Sequence, residues 1–318
     1  MSGTMSWTYD QPSGVYKNHA LSENLRFAAI AEAKFMQFVR PENGYGRKLG
    51  ESISVTRISA LAVPSNGRLS ETEKMPEQEL TMTTKTITVS EFGRAVPYTS
   101  LVEDLGKFSM ENIVQKTLRD QMALVMDNAI AATFTGSDAK IKATPTGTSS
   151  ISFGTAGTAP AQAVANLNVY HVEQIRDYMF STLRMPTYED DSYVCLLTTK
   201  AKRGIINDPN WEVWHKYTNA EAKYKGELGR LENIRFIEIQ NTSALNNSIG
   251  LGGVCGEAVF FGADPVVMAA VLDPELRAET PKDFGRQKAV AWYGVLDFGV
   301  VWDTANPGEA RIVHLSST

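Results

Sequence analysis

From Ser109 to Gly136 the chain reads SMENIVQKTLRDQMALVMDNAIAATFTG, and no other stretch restricts the fold so tightly. Val114, Leu118, Met122, Val125, Ala129 and Ala132 recur at steps of three or four, which stacks them on one face of a 3.6-residue helix. Ile113, Met126, Ile130 and Phe134 widen that face, while Glu111, Lys116, Arg119, Asp120 and Asp127 mostly fall outside it. One broad side is therefore expected to be buried. Ser109 is placed to cap the first turn, Glu111 suits the positive end of the helix dipole, and Gly136 suits a left-handed terminus. Some 26 helical residues span roughly 40 Å, well beyond an average helix of ~11–12 residues, so the element reads as a strut.

The chain around it is long and apolar enough to fold: 318 residues, 43% of them hydrophobic, allow a sizeable core and suggest about two domains. No run approaches ~18 consecutive apolar residues, and MSGTMSWTYDQPSG at the start has neither the basic nor the apolar segment of a signal peptide. Production in a cytoplasm is the expectation. Cys195 and Cys255 lie far apart in apolar settings, YVCLL and GVCGEAVFF, which favours small buried residues over a disulfide or a metal pair. A net charge of −5 and a pI near 5.5 leave no overall footprint for gripping nucleic acid.

Residues 1–20 contain Pro12 and Gly14 among polar and aromatic residues and read as an extended arm. HALSENLRFAAIAEAKFMQFV follows with helical spacing at Leu25, Ala28, Ala29, Glu32, Phe35, Met36 and Val39, ending before Pro41. SISVTRISA then alternates, with Ile53, Val55 and Arg57 on one face, and so does LTMTTKTITVSEFG, with Thr84, Thr86 and Thr88 facing away from Lys85, Ile87 and Val89. The pair suggests a β-hairpin. Between the two runs lies LAVPSNGRLSETEKMPEQE, a loop of unusual length for a compact domain; it is either a surface loop or an arm that reaches a neighbouring subunit.

Beyond the long helix, SDAKIKATPTGTSSISFGTAGTAPAQ is rich in small and polar residues and marks the best internal boundary. A second helix begins near Asn168, with Val169, Val172, Ile175, Arg176, Met179 and Leu183 at helical spacing before Pro186. YVCLLTT reads as a buried strand, KAKRGIIND as a short helix, and IRFIEIQ as a strand, while AVFFGADPVVMAAVL holds two apolar runs. The closing part, AVAWYGVLDFGVVWD to EARIVHL, reads as two strands joined by a turn at Ala305-Asn306-Pro307-Gly308. The fold class is α+β.

Signatures of chemistry are absent. His19, His171, His215 and His314 are scattered without metal-ligand spacing, and there is no GxxxxGK[ST] loop or GxSxG elbow. The glycines at 250, 252, 253 and 256 have the wrong spacing for a phosphate cradle and read as a turn; Glu189-Asp190-Asp191 reads as a solvated loop. Trp211, Trp214, His215, Tyr217 and Tyr224 have few arginines among them and suit packing better than base stacking. No catalytic, cofactor-binding or metal residue is assigned, and no cofactor is expected.

The order of arm, short helix, long-looped hairpin, long helix and mixed α/β half resembles the major capsid proteins of tailed bacteriophages, with their Hong-Kong-97-type fold. GRAVPYTSLVEDLGKFSMENIVQKTLRDQMALVMDNAIAATF, TTKAKRGIINDPNWEVWHKY and GELGRLENIRFIEI resemble most the coat proteins of N-four-like podophages. The resemblance spans from about Leu21 to the C-terminus. It implies an N-terminal arm and short helix (1–47), an E-loop hairpin lying over an adjacent subunit (48–97), a spine helix with peripheral domain (98–164), an axial domain (165–272), and a return to peripheral strands (273–318). It implies hexamers and pentamers closing into an icosahedral shell around double-stranded DNA in the virion, assembled in the host cytoplasm with a separate scaffolding protein, a portal and, in some cases, a decoration protein. Some relatives crosslink an E-loop lysine to an asparagine; Lys74, Lys85 and Asn306 have the right types, but no motif selects them. A mildly acidic subunit fits such a shell, because net repulsion keeps DNA from condensing on the wall. Two other readings stay open: an encapsulin-like nanocompartment shell, and a soluble α+β enzyme with a site assembled from distant residues.

Overall fold

The computed structural model describes residues 30–42, 45–63, 67–69, 71–72, 74–144, 152–154, 156–158, 160–209 and 227–317. The arm expected over residues 1–20, the first half of the helix that follows it, and the aromatic stretch from Trp211 to Tyr224 lie outside these residues.

The strut is there, as α2 (Met110–Thr135). Its buried side is the row Val114, Leu118, Met126, Ile130 and Phe134, with Ala131 beside it. Met122, Val125 and Ala129 are half-buried, and Ala132 is exposed, so the contact face is rotated slightly from the one expected. Two terminal details differ as well. Ser109 precedes the helix in extended conformation but its hydroxyl caps nothing, and Gly136 ends the helix at φ −76°, without a left-handed turn, its N–H reaching the Ala132 and Thr133 carbonyls.

Two sheets flank this helix. The first has the order β1 (Val39–Pro41), β11 (Val266–Ala278), β12 (Gln287–Gly299) and β4 (Ser90–Thr99). Val290, Trp292, Leu296 and Phe298 of β12 are buried with the α2 row in one core, and Phe92, Val96 and Tyr98 of β4 pack against it. β4 passes unnoticed in the sequence because Gly93 and Pro97 read as breakers; as an edge strand it tolerates both. It is followed by a short helix, α1 (Ser100–Leu105).

The second sheet has seven strands in the order β6 (Ser152–Gly154), β5 (Lys140–Lys142), β13 (Ile312–Leu315), β10 (Ala258–Phe261), β7 (Tyr193–Thr198), β9 (Ile234–Ile239) and β8 (Glu227–Leu231). All residues of β7, β10 and β13 are buried, as the apolar runs of β7 and β10 require, and β13 takes His314 inside with it. On one face Cys195, Leu197, Phe236, Phe260, Val313 and Leu315 share a core with α3 (Val169–Asp177) and α4 (Thr199–Ile206). The other face, with Val194, Leu196, Val259, Phe261 and Ile312, joins the α2 core. There Phe35, Phe38, Phe134 and Phe261 form a chain of ring contacts, with centroids 4.8–5.4 Å apart.

The expected β-hairpin is β2 (Ser52–Ile58) with β3 (Met82–Thr88), in the register Ile53↔Ile87, Val55↔Lys85, Arg57↔Thr83. Val89 alone links it to β4.

Three expectations need correction. The helix expected to run up to Val39 is not helical over its described part: residues 30–34 are irregular, and Met36–Phe38 forms only a 3-10 turn before β1. Asp127, expected on the solvent side of α2, is fully buried and accepts the Lys34 and Phe35 N–H groups at 2.9 and 2.8 Å; these tertiary bonds override the local helical spacing. The closing strands β12 and β13 lie in different sheets and do not pair. The turn signal is real, with Glu309 N–H donating to the Asn306 carbonyl and Gly308 at φ +82°, but the segment between them crosses from one sheet to the other.

Candidate assembly surface

The side chains of the hairpin sort into three zones. At its base Ile87 is buried, sharing a small core with Val267 and Ala269, against which Tyr45, Ile53, Val89 and Val301 pack. The fit is tight: a Cβ on Gly299 would come within 2.6 Å of Ile87 Cγ1.

Further along lies an ionic zone. Arg57 Nη1 donates to Asp303 Oδ1 at 2.8 Å and to the Val301 carbonyl at 2.9 Å, and Lys85 Nζ donates to Asp303 Oδ2 at 2.5 Å. Burial alone would raise the Asp303 carboxyl, but its hydrogen bonds with Lys85 and Arg57 outweigh that and hold it below the usual aspartate range. Glu309, hydrogen-bonded by Ser59, Asn306 and Thr304, is also held low.

Beyond Ile58 the arm carries large apolar side chains that nothing covers: Ile58, Leu61, Val63, Leu69, Met75, Leu80 and Met82 are all exposed, Val63 at 86% and Met75 at 67%. A single subunit rarely leaves so many large apolar side chains in water along one element. The charges of this loop masked them in the sequence, where Leu69 and Met75 look isolated among Arg68, Glu71, Lys74, Glu77 and Glu79. A second uncovered patch lies on α1, at Leu101, Val102 and Leu105.

The residues weighed for chemistry are not brought together. Lys74 pairs with Glu77 at 2.6 Å on the exposed arm, Lys85 is engaged by Asp303, and the Asn306 amide donates to Glu309 at 3.1 Å. Asp190 meets Arg230 at 3.4 Å in a surface loop where both Asp190 and Asp191 have positive φ. The glycine stretch forms a small turn closed by the Ile249–Cys255 bridge. Among the described residues no three His, Cys, Asp or Glu side chains converge as metal ligands, and no helix is long and apolar enough to cross a membrane. Both cysteines are buried and unbridged; burial pushes the Cys195 thiol well up and the Cys255 thiol to about 11.

The two described histidines are structural. His171 closes a capping box: its Nδ1 accepts the Asn168 N–H at 3.1 Å while Asn168 Oδ1 accepts the His171 N–H at 3.1 Å. Nε2 lies 2.7 Å from the Thr144 carbonyl and 3.1 Å from the Thr144 N–H, so both backbone groups of that residue close on the ring. His314, on β13, accepts Lys140 Nζ at Nδ1 at 3.0 Å and faces Glu257 across 3.6 Å.

A long helix against a four-stranded sheet, a second mixed sheet, and a projecting hairpin together define the α+β capsid fold of Hong-Kong-97 type, and solved structures match it along the whole chain. The head structure of Helicobacter pylori bacteriophage KHP40 superposes with a TM-score of 0.72 at 13% identity, covering 100% of each chain. The acidic stable capsid structure of Helicobacter pylori bacteriophage KHP30 gives 0.73 at 12% identity with 99% of each chain covered, and the cyanophage Pam1 capsid asymmetric unit gives 0.72 at 13% identity, covering 96% of this chain and 97% of that one. No family model and no curated protein matches the sequence.

Proposed function

We propose that the chain is a major capsid protein: a structural, non-enzymatic subunit that associates with copies of itself into hexamers and pentamers of an icosahedral phage shell. The observation that carries this reading is the uncovered apolar arm, on a subunit whose fold matches phage capsid subunits from end to end. An arm of this kind buries its side chains only against another molecule, and in a closed shell every subunit supplies a neighbour to receive it. In this reading β2 and β3 belong to an E-loop (48–97), α2 is the spine helix within 98–164, residues 165–272 form the axial domain, and 273–318 return to the peripheral domain, with 1–47 as the N-terminal arm. A separate scaffolding protein, a portal, packaged double-stranded DNA held without sequence readout, and in some particles a decoration protein complete the set of partners.

Negative-stain electron microscopy of the protein, expressed alone and with a scaffolding partner, tests the proposal. DNA-sized icosahedral shells are expected. Small uniform cages would favour an encapsulin-like compartment instead, and a strictly monomeric species under every condition would overturn the shell reading.

A further inference from the structure

The arm meets the body of its own subunit at an apolar pin near its base and at a polar zone further out, where Ser59 also bonds Glu309. Near the base, Ile87 is pinned in the small core beneath Gly299. Further out, Arg57 and Lys85 converge on one carboxylate, Asp303. Arg57 lies four positions beyond Ile53 on β2 and Lys85 two beyond Ile87 on β3, so at ~3.4 Å per residue the ionic contact acts roughly 7–14 Å out along the lever.

The cations ride on the arm, one on each strand, whereas the carboxylate belongs to the body. Asp303 is held there by its own backbone: it bridges Ala310, and its carbonyl accepts the Asp138 N–H at 3.2 Å just after α2. Arg57 is also bonded to the Val301 carbonyl and to Thr83 Oγ1 at 2.8 Å, which ties body, β2 and β3 together at one guanidinium. The connection behind the pin is thin. On one side stands Gly50, at φ +101°, its carbonyl accepting the Tyr45 hydroxyl at 2.9 Å, and on the other a single residue, Val89, whose N–H bonds the Glu51 carbonyl at 3.0 Å. Two thin connections and one pivot define a hinge; only a contact beyond the pivot can set the angle.

We propose that Asp303 is the body-side half of an ionic latch that sets the projection angle of the β2–β3 arm in the free subunit. The latch pre-organises the arm for its neighbour, so less conformational freedom is lost when contact is made. That use rests on the shell reading; the latch itself is a property of one subunit.

The test is made on unassembled subunits. Spin labels at Leu61→Cys on the arm and Leu251→Cys on the body report the arm angle by pulsed dipolar spectroscopy, with both native cysteines buried. In the unsubstituted latch a single narrow distance distribution is expected. Asp303→Asn should broaden it severalfold and accelerate hydrogen exchange of β2 and β3 amides at least tenfold, with α2 amides unchanged. Arg57→Gln with Lys85→Gln removes the arm side alone and should have the same effect, which covers the case of an Asp303 variant that misfolds. An unchanged distribution and unchanged exchange in a folded variant of either kind would overturn the latch. Because no shell is needed, a failure of assembly bears on the proposed function and leaves this result standing.

Discussion

Asp127 carries its carboxylate into the interior in the middle of a long helix, and three donors meet it: the Lys34 and Phe35 N–H groups at one oxygen and the Asn241 amide, at 3.1 Å, at the other. Asp127→Ala leaves buried donors unpaired and should cost about 3 kcal/mol, measured as a fall in the urea midpoint with unchanged slope. Spacing alone assigned this residue to solvent, because a charge at the edge of an apolar face carries no local sign that distant backbone groups will solvate it. The histidines yield a prediction of pH dependence. Burial lowers the pKa of both His171 and His314 below 6.5, so the unfolded chain takes up protons near pH 6.5 that the folded chain refuses. Their contribution to stability is fully present above that value and is lost as pH falls through it, with a slope of up to ~1.4 kcal/mol per pH unit for each group. Melting temperatures between pH 7.5 and 5.5 should fall, and less steeply in His314→Gln. The buried thiols make a third case: denatured protein should label quickly with a thiol reagent, native protein slowly, and non-reducing gels should show no disulfide-linked species.

Among the elements, those whose packing follows from their own periodicity were legible: α2, α3, α4, the β2–β3 pair, and the continuous apolar strands β7 and β10. α3 illustrates why, since Val169, Val172, Ile175, Met179 and Leu183 are all buried as their spacing demands, even though the last turn widens to a π-helix over Tyr178–Thr182. Elements defined by tertiary pairing were not legible. β1 exists because β11 offers it a parallel edge, and β4 because β12 offers it an antiparallel one. Of the proposed surface, the arm and its long loop could be read in advance; its uncovered leucines and methionines and the Asp303 contact could not, because both depend on which groups the fold leaves in water. For α2 the spacing supports a firm prediction. Leu118 is 1% exposed in the core shared with β12, so Leu118→Asp, which places an unpaired charge there, should cost at least about 4 kcal/mol and abolish the soluble folded subunit, as judged by circular dichroism and expression.

At the scale of the whole molecule, the arm is separable from the body that carries it. Deleting Asn66–Gln78 and joining the cut ends through Asn-Gly shortens the connection between β2 and β3 and should leave a folded subunit, since no residue of the buried cores is removed. Shell assembly, or shell heat stability, should fail; normal shells viewed by electron microscopy would refute the arm's role between subunits. The seven-stranded sheet is built on an opposite principle, because β13 sits between β5 and β10 and so joins residues 140–142 to residues 258–261. During synthesis, therefore, the edge formed by β5 and β6 has no partner until the ribosome has added residue 315, and pairing across such sequence separations is slow. The nascent chain thus cannot complete this sheet before β13 has been made, and until then β5 and β10 each keep an unpaired edge that another chain could take.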